Sequence, residues 1–190
     1  LIAMMVGAAL AMSGAVFQGL FKNPVVSPNI LGTTSGASFG AALAIMFGMT
    51  AVGIQSFAFL GGLVAVLLVA GMNAVVSKRA QSIATLILCG MLVSSLFSAL
   101  VSLLKFVADT ETQLSAITFW LMGSLAGTVL SDLSMFYLFI PVALLLLAVR
   151  WKVNLLSLGD CEARMLGVNV RFYRWLFIGC ATLLTSLSVS

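Results

Sequence analysis

Residues 83–107 read IATLILCGMLVSSLFSALVSLLKFV. This run carries a single charge, Lys105, close to its end. At 1.5 Å per residue a helix of this length is about 37 Å long. That is enough to cross a hydrocarbon core of about 30 Å. The stretch therefore reads as a membrane span, and the rest of the chain is read outward from it. The 190 residues are 62% hydrophobic and 7% charged, against about 25% charged in an average soluble domain. Nine Lys/Arg and five Asp/Glu cannot coat a globule of this size, which excludes a soluble enzyme or a nucleic-acid binder.

Absences narrow the reading further. With no histidine, imidazole general bases, Ser-His-Asp triads and His-ligated metals are excluded within this chain. Cys89, Cys161 and Cys180 form no CxxC pair and suggest neither a disulfide framework nor a zinc site. The ten methionines are scattered, as gap fillers of a packed interior are. No GxxxxGK[ST] occurs, so the chain has no P-loop for ATP. Catalytic, cofactor-binding and metal-binding residues are accordingly expected to be none.

On either side of the fourth span the same arithmetic gives an all-α, polytopic transmembrane bundle. The first span covers residues 1–20 and ends at Lys22-Asn23-Pro24, because proline disfavours helix at the residue before it. The second starts at 31 or 35 and ends at 47, short enough to be partly irregular. Residues 48–55 read as a turn, 56–76 as the third span, closed by Ser77-Lys78-Arg79. Asp109, Thr110 and Glu111 mark a loop after the fourth span. The fifth covers 133–149 with Pro141 inside it, a polar stretch follows over 150–174, and a last span starts near Trp175. The chain opens and closes inside apolar runs and reads as one transmembrane domain, 1–190, cut from a longer protein at both ends.

Residues 112–122 are apolar and helical in pattern, but about 16 Å of helix cannot cross the core. Thr110-x-x-Gln113 reads as a capping box at the start and Gly123 as the stop. Two readings stand: a re-entrant helix beside a wet pathway, or a helix lying flat at the interface. Alternating the spans puts Lys22, Lys78, Arg79, Arg150, Lys152, Arg164, Arg171 and Arg174 on one side and Lys105 alone on the other. The positive-inside rule assigns the basic side to the cytoplasm, so the short helix is extracytoplasmic and the 150–174 stretch cytoplasmic. No charge falls at the middle of a span. This argues against a proton-driven carrier, while sodium coupling through backbone carbonyls stays open. Uphill transport would then draw its energy from a partner.

Three stretches carry candidate chemistry. Gly90, Ser94, Ser98 and Ser102 recur at four-residue steps on one helix face, extended by Lys105. The face reads either as a hydroxyl-lined translocation wall with a cationic mouth or as close small-residue packing. Gly32, Gly36 and Gly40 repeat the small-residue spacing, flanked by Thr33, Thr34, Ser35 and Ser38; packing is the simpler reading there. Residues 155–170 read LLSLGDCEARMLGVNV. Asp160 can cap a short helix, Glu162 suits its first turn, Arg164 lies nearer its end and Gly167 is a left-handed stop, while Leu156, Leu158, Met165, Leu166 and Val168 supply apolar contacts beside these charges. Such a helix, mixed apolar and charged, fits either a groove in a soluble partner or the lipid headgroups.

The stretch GAALAMSGAVFQGLFKNPVVSPNILGTTSGASFGAALAI (residues 7–45) resembles the permease subunits of vitamin B12, haem and ferric-siderophore ABC importers. The matching positions are Asn23, Pro24, Pro28, Leu31, Gly32, Ser35, Gly36 and Ala37. FWLMGSL (119–125) is similar to the family's short outer helix, and Asn154 to Gly159 with Ala163, Arg164, Leu166, Gly167 and Val168 to its coupling loop. Three motifs in the family's order span nearly the whole chain.

The resemblance implies a fragment of a ten-span subunit, multi-pass in the bacterial cytoplasmic (inner) membrane. It implies a second permease copy, identical or paralogous, two ATP-binding subunits, and an extracytoplasmic substrate-binding protein, with membrane lipid around them and no nucleic acid. ATP and Mg²⁺ would sit on the partner subunit, leaving this chain non-enzymatic and without a cofactor. The cargo would be an iron-siderophore, haem, cobalamin or similar metal chelate. Ser94, Ser98, Ser102, Lys105 and Trp120 would line the pathway. Gln81, Ser82, Ile83 and Ala84 would form a cytoplasmic gate. Leu158, Gly159, Asp160, Ala163, Arg164, Leu166 and Gly167 would couple to the ATPase. Cys161 and Glu162 depart from the family's usual residues. The alternative from a different class is an ion-gradient-driven secondary transporter; a membrane-embedded enzyme lacks acid, base and metal ligands at span depth.

Overall fold

The computed structural model describes residues 2–24, 26–76, 83–123 and 137–189. Among them are eight α-helices: α1 (Ile2–Phe21), α2 (Thr33–Met46), α3 (Ala51–Val76), α4 (Ile83–Val107), α5 (Gln113–Met122), α6 (Phe139–Leu158), α7 (Asp160–Met165) and α8 (Val170–Val189). A short 3₁₀ turn, Pro28–Leu31, precedes α2. Five of the helices, α1, α3, α4, α6 and α8, are long and apolar enough to cross a membrane. The 14 residues of α2 give only about 21 Å, so this helix is too short to cross the core by itself, where the sequence predicts a second span. Chain contacts divide the molecule into two compact units, Leu1–Pro28 with Thr128–Ser188, and Asn29–Gly127 with Val189–Ser190.

In the first unit α1 ends where Lys22 turns left-handed, at φ 52°. The Asn23 amide then reaches back to the Gln18 carbonyl at 3.2 Å, closing the last turn as a left-handed C-terminal cap does. Phe17 and Phe21 stack at 5.8 Å within the buried side of α1. The Gly19 backbone comes so close to α6 that an added Cβ would stand 2.7 Å from Val153 Cγ1. The buried face of α8 mixes Phe177, Ile178, Ala181 and Leu184 with Thr182, Thr185 and Ser186.

Three boundaries in this unit differ from the sequence expectation. Helix α6 starts at Phe139 rather than 133, which puts Pro141 in its first turn. There a missing N–H costs nothing, because the first amides of a helix have no acceptor anyway. The helix also continues past Val149 to Leu158, so Arg150 and Lys152 ride on helical turns instead of in a loop. Likewise α8 begins at Val170 and not near Trp175, its first turn capped by Asn169 Oδ1 accepting from the Phe172 amide at 3.1 Å. Hydropathy ends at a charge, but a helix does not; long basic side chains carry their heads to the water.

In the second unit α2 and α3 pack antiparallel through glycine. A Cβ on Gly36 would strike the Gly61 carbonyl, and one on Gly40 the Phe57 carbonyl. The glycine stripe is therefore a backbone-to-backbone contact. The loop between the two helices is shorter than expected. Gly48 turns at φ 65° and α3 starts at Ala51 rather than 56, since residues 51–55 hold no proline and the single Gly53 costs a helix only about 1 kcal/mol. Phe39 of α2 and Phe97 of α4 meet at 5.6 Å. Ala42, Ala108 and the fully buried Ile117 form a core with Leu104, Leu114 and Leu121 that seats α5 against α2 and α4.

Candidate functional site

The hydroxyls of α2 and α4 meet in one place. A cavity of about 190 Å³ is lined by Thr34, Ser35 and Ser38 of α2, Ser98 and Val101 of α4, and Leu121 of α5. Residues 34 and 35 lie on one helix face with 38 by their four- and three-residue spacings to it. Gly32, with φ 74°, positions that face: its left-handed backbone starts α2 where a Cβ would be 3.0 Å from Ser94 Oγ. Close by, a Cβ on Gly90 would strike the Ile30 carbonyl. The two sequence readings of the α4 face thus divide along the helix. Gly90 is buried and Ser94 half-buried against the start of α2, while Ser98 and Ser102 are open. The Ser102 hydroxyl donates to the Ser98 carbonyl at 3.0 Å, and Lys105 is half-buried one turn further on.

Helix α5 closes one side of this cavity through Leu121. Trp120 is half-buried against Ala37, Ala41 and Ala58 of α2 and α3. The start of α5 is held differently from the expected Thr110 capping box. Thr112 is the N-cap residue and makes no side-chain cap bond; Asp109, three residues before it, holds the entry to the helix, its Oδ2 accepting from the Thr112 amide at 3.0 Å and from the Thr112 hydroxyl at 2.7 Å. A carboxylate is the stronger acceptor, and its position three residues before Thr112 gives it the reach. Those two Thr112 bonds, side chain first, hold the Asp109 carboxyl below its ordinary range. Gln113 answers with both ends of its amide. Its Oε1 accepts from the Asp109 amide and its Nε2 donates to the Met46 carbonyl, each at 3.2 Å. The expected stop holds, with Gly123 at φ 70° and its amide on the Trp120 carbonyl at 3.1 Å.

The second candidate surface lies in the other unit. Of residues 150–174, the first part completes α6, Asp160–Met165 forms α7, and α8 takes up the chain from Val170. Gly159, φ 152°, breaks the chain between α6 and α7. Gly167, φ 75°, ends α7, with its amide on the Arg164 carbonyl at 3.0 Å. The candidate coupling residues split into two sets. Leu158, Arg164, Leu166 and Gly167 are exposed, together with Met165 at 87%. Gly159 and Ala163 are buried, and Asp160 turns to Arg174. Asp160 is thus not the expected cap of α7. Gly159 occupies the cap position, and the guanidinium claims the carboxylate. Met165, one of the apolar contacts read from the sequence, is the most exposed apolar side chain of this segment.

Gln81 and Ser82 of the candidate gate lie outside the described residues, as do Ser124 and Leu125 of the FWLMGSL stretch and Lys78 and Arg79. Ile83 opens α4 and Ala84 is exposed beside it. Of the motif residues, Asn23 and Pro24 form the turn after α1 and Pro28 opens the 3₁₀ turn. A larger concavity, about 630 Å³, runs along one side of α8 past Trp175, Leu176 and Leu183. Its lining is α8 and the residue just before it, Asn169, which makes it a surface for lipid or protein rather than a ligand chamber. Among the described residues no group of three or more Cys, Asp or Glu could hold a metal ion.

A model of the FecCD transport family matches residues 1–190. The molybdate import system permease protein MolB of Haemophilus influenzae is 46% identical over 94% of this chain and 52% of its own length. A probable iron chelatin transport system permease protein of Helicobacter pylori is 37% identical over 100% of the chain and 57% of its own. The cobalamin import system permease protein BtuC of Halobacterium salinarum is 37% identical over 97% and 50%. A solved structure of a metal-chelate type ABC transporter in an inward-facing conformation is 44% identical. It superposes with a TM-score of 0.92 over 99% of this chain and 59% of that one. The chain thus spans about half the length of the relatives it matches.

Proposed function

Because the chain belongs to the FecCD transport family, we propose that it forms part of the ten-span transmembrane permease subunit of an ATP-driven importer in the cytoplasmic membrane. The observation that carries this reading is the family match over residues 1–190. Five helices able to span a membrane agree with it. It favours a partner-driven importer over an ion-gradient carrier, as does the gap in acidic residues along the spans. The cargo is a metal chelate such as an iron-siderophore, haem or cobalamin, or a metal oxyanion. The names of the relatives, iron chelatin, cobalamin and molybdate permeases, support that class. Two permease copies, two ATP-binding subunits that hold ATP and Mg²⁺, and an extracytoplasmic binding protein complete the assembly.

Within it, the hydroxyl-lined cavity serves as wall. Ser98, Ser102 and the α2 hydroxyls offer neutral hydrogen bonds that a bulky ligand can exchange as it passes, with Lys105 and Trp120 on the same side of the chain's topology. The residues from Gln81 to Ala84 serve as the inner gate. The exposed face of α7, with Leu158, Arg164, Met165 and Leu166, docks on the ATP-binding subunit, burying apolar side chains beside a charge as a helix in a groove does. The test is reconstitution of the full-length permease with its ATP-binding subunits and binding protein in vesicles. Uptake should require ATP and survive collapse of ion gradients. Uptake driven by a gradient in vesicles without the ATP-binding subunit would overturn the reading.

A further inference from the structure

Beneath its exposed face, α7 is fixed by a charge pair. Arg174 Nη2 donates to Asp160 Oδ1 at 2.7 Å, and among the described residues this is the one ion pair. Asp160 is the first residue of α7, and Arg174 stands in the second turn of α8. The Arg174 side chain is 13% exposed against 42% for Asp160, so the guanidinium is the embedded partner. Its Nε is buried without a hydrogen-bond partner. A cation that is nearly buried and only partly satisfied depends strongly on the carboxylate it does have.

The surrounding backbone explains why a tie is needed. Helix α7 has six residues, far too few to be stable alone, and glycines flank it at 159 and 167, both with positive φ. Ala163 and Val168 are buried and give it an apolar underside, with the Val168 amide on the Ala163 carbonyl at 3.0 Å. A parallel tie joins the second half of α6 to α8, where Lys152 Nζ lies 5.7 Å from the centre of the Tyr173 ring. Tyr173 and Arg174 are consecutive, so one turn of α8 receives both attachments.

We propose that Asp160 and Arg174 form a positioning pair that makes α7 and α8 one lever, so that a push on the exposed face of α7 reaches the α8 span. Asp160 acts through Arg174 and does not touch the ATP-binding subunit. The inference rests on the importer reading above and adds a division of labour within the short helix: Arg164, Met165 and Leu166 grip, while Asp160 transmits.

The test uses the full-length permease with its ATP-binding subunits in proteoliposomes, comparing Asp160→Asn, Arg174→Gln and the double variant. Each single substitution should leave co-purification and basal ATP hydrolysis within about two-fold of wild type and cut transport per ATP at least five-fold. The double variant should be no worse than the poorer single, because the two act as a unit. Transport per ATP within two-fold of wild type in both singles overturns the pair, and so do independent losses that multiply in the double. A second measurement does not need transport. Cys161 is exposed whereas Cys89 and Cys180 are buried. A spin label at Cys161 of the solubilised permease, the other cysteines replaced, should become more mobile in Asp160→Asn; an unchanged line shape overturns the pair. Wild-type vesicles that show no ATP-dependent uptake would instead overturn the importer reading, and the transmitting role with it. In that case a Cys161 label mobilised by Asp160→Asn still separates the fate of the geometry from the fate of the function.

Discussion

Asp109 shows how much one carboxylate can organise. It accepts both the amide and the hydroxyl of Thr112, and those bonds hold its carboxyl below the ordinary value. A carboxyl lowered on folding stabilises the fold above its unfolded value, near 3.9. The contribution is lost as the pH falls through the lower folded value. The protection of the Thr112 and Leu114 amides, taken relative to the intrinsic exchange rate at each pH, should accordingly hold down to about pH 4 and fall below it, and Asp109→Asn should flatten that profile. An unaltered profile in the variant would count against the cap. Gln113 is the companion case. Gln113→Met removes both amide bonds, to Asp109 and to Met46, and should loosen the start of α5 by about 1 kcal/mol per bond at most. Gln113→Glu should do no better, since its carboxylate would face the Met46 carbonyl. Protection of the α5 amides measures both. The sequence announced a cap here, but named Thr110 for it; spacing alone cannot rank two adjacent acceptors whose reach depends on the turn between them.

At the scale of elements the contact between α2 and α3 sets the geometry of the hydroxyl cavity. Gly36, Gly40 and Gly61 bring backbone against backbone, and a side chain there must push the helices apart. Gly40→Leu should cost roughly 1–3 kcal/mol or more, as overpacking does. A thermal melt of the solubilised full-length permease measures it, and a melting temperature equal to wild type would refute the close contact. The stripe itself was legible from its four-residue spacing. Its partner was not, because small residues recur in many helices and pattern does not say which two face each other. The same limit applied to the α4 serines. Spacing put them on one face, but only the structure showed that Gly90 and Ser94 pack while Ser98 opens onto Thr34, Ser35 and Ser38. Helix ends at 158 and 170 depart from the sequence reading for a common reason: a hydropathy window stops at arginine, whereas backbone hydrogen bonding continues.

For the whole molecule, the docking face of α7 gives the clearest prediction. Met165→Asp with Leu166→Asp replaces two exposed apolar side chains and should lower co-purification of the ATP-binding subunit at least ten-fold, with the permease still folded in the membrane. Undiminished co-purification would remove α7 from that interface. What the sequence by itself determined is the solvent and the class. With 62% hydrophobic residues and 7% charged ones, the chain needs lipid around it. The backbone must then satisfy itself in helices, and three ordered motifs mark the family. What only the tertiary structure decided is which polar groups meet: Asp160 with Arg174, Gln113 with Met46, and the hydroxyls of α2 with Ser98. The physical reason is range. Burial and helix periodicity are properties of each segment and can be read along the chain. A hydrogen bond across 67 residues of sequence exists only once packing has set two backbones a few ångströms apart.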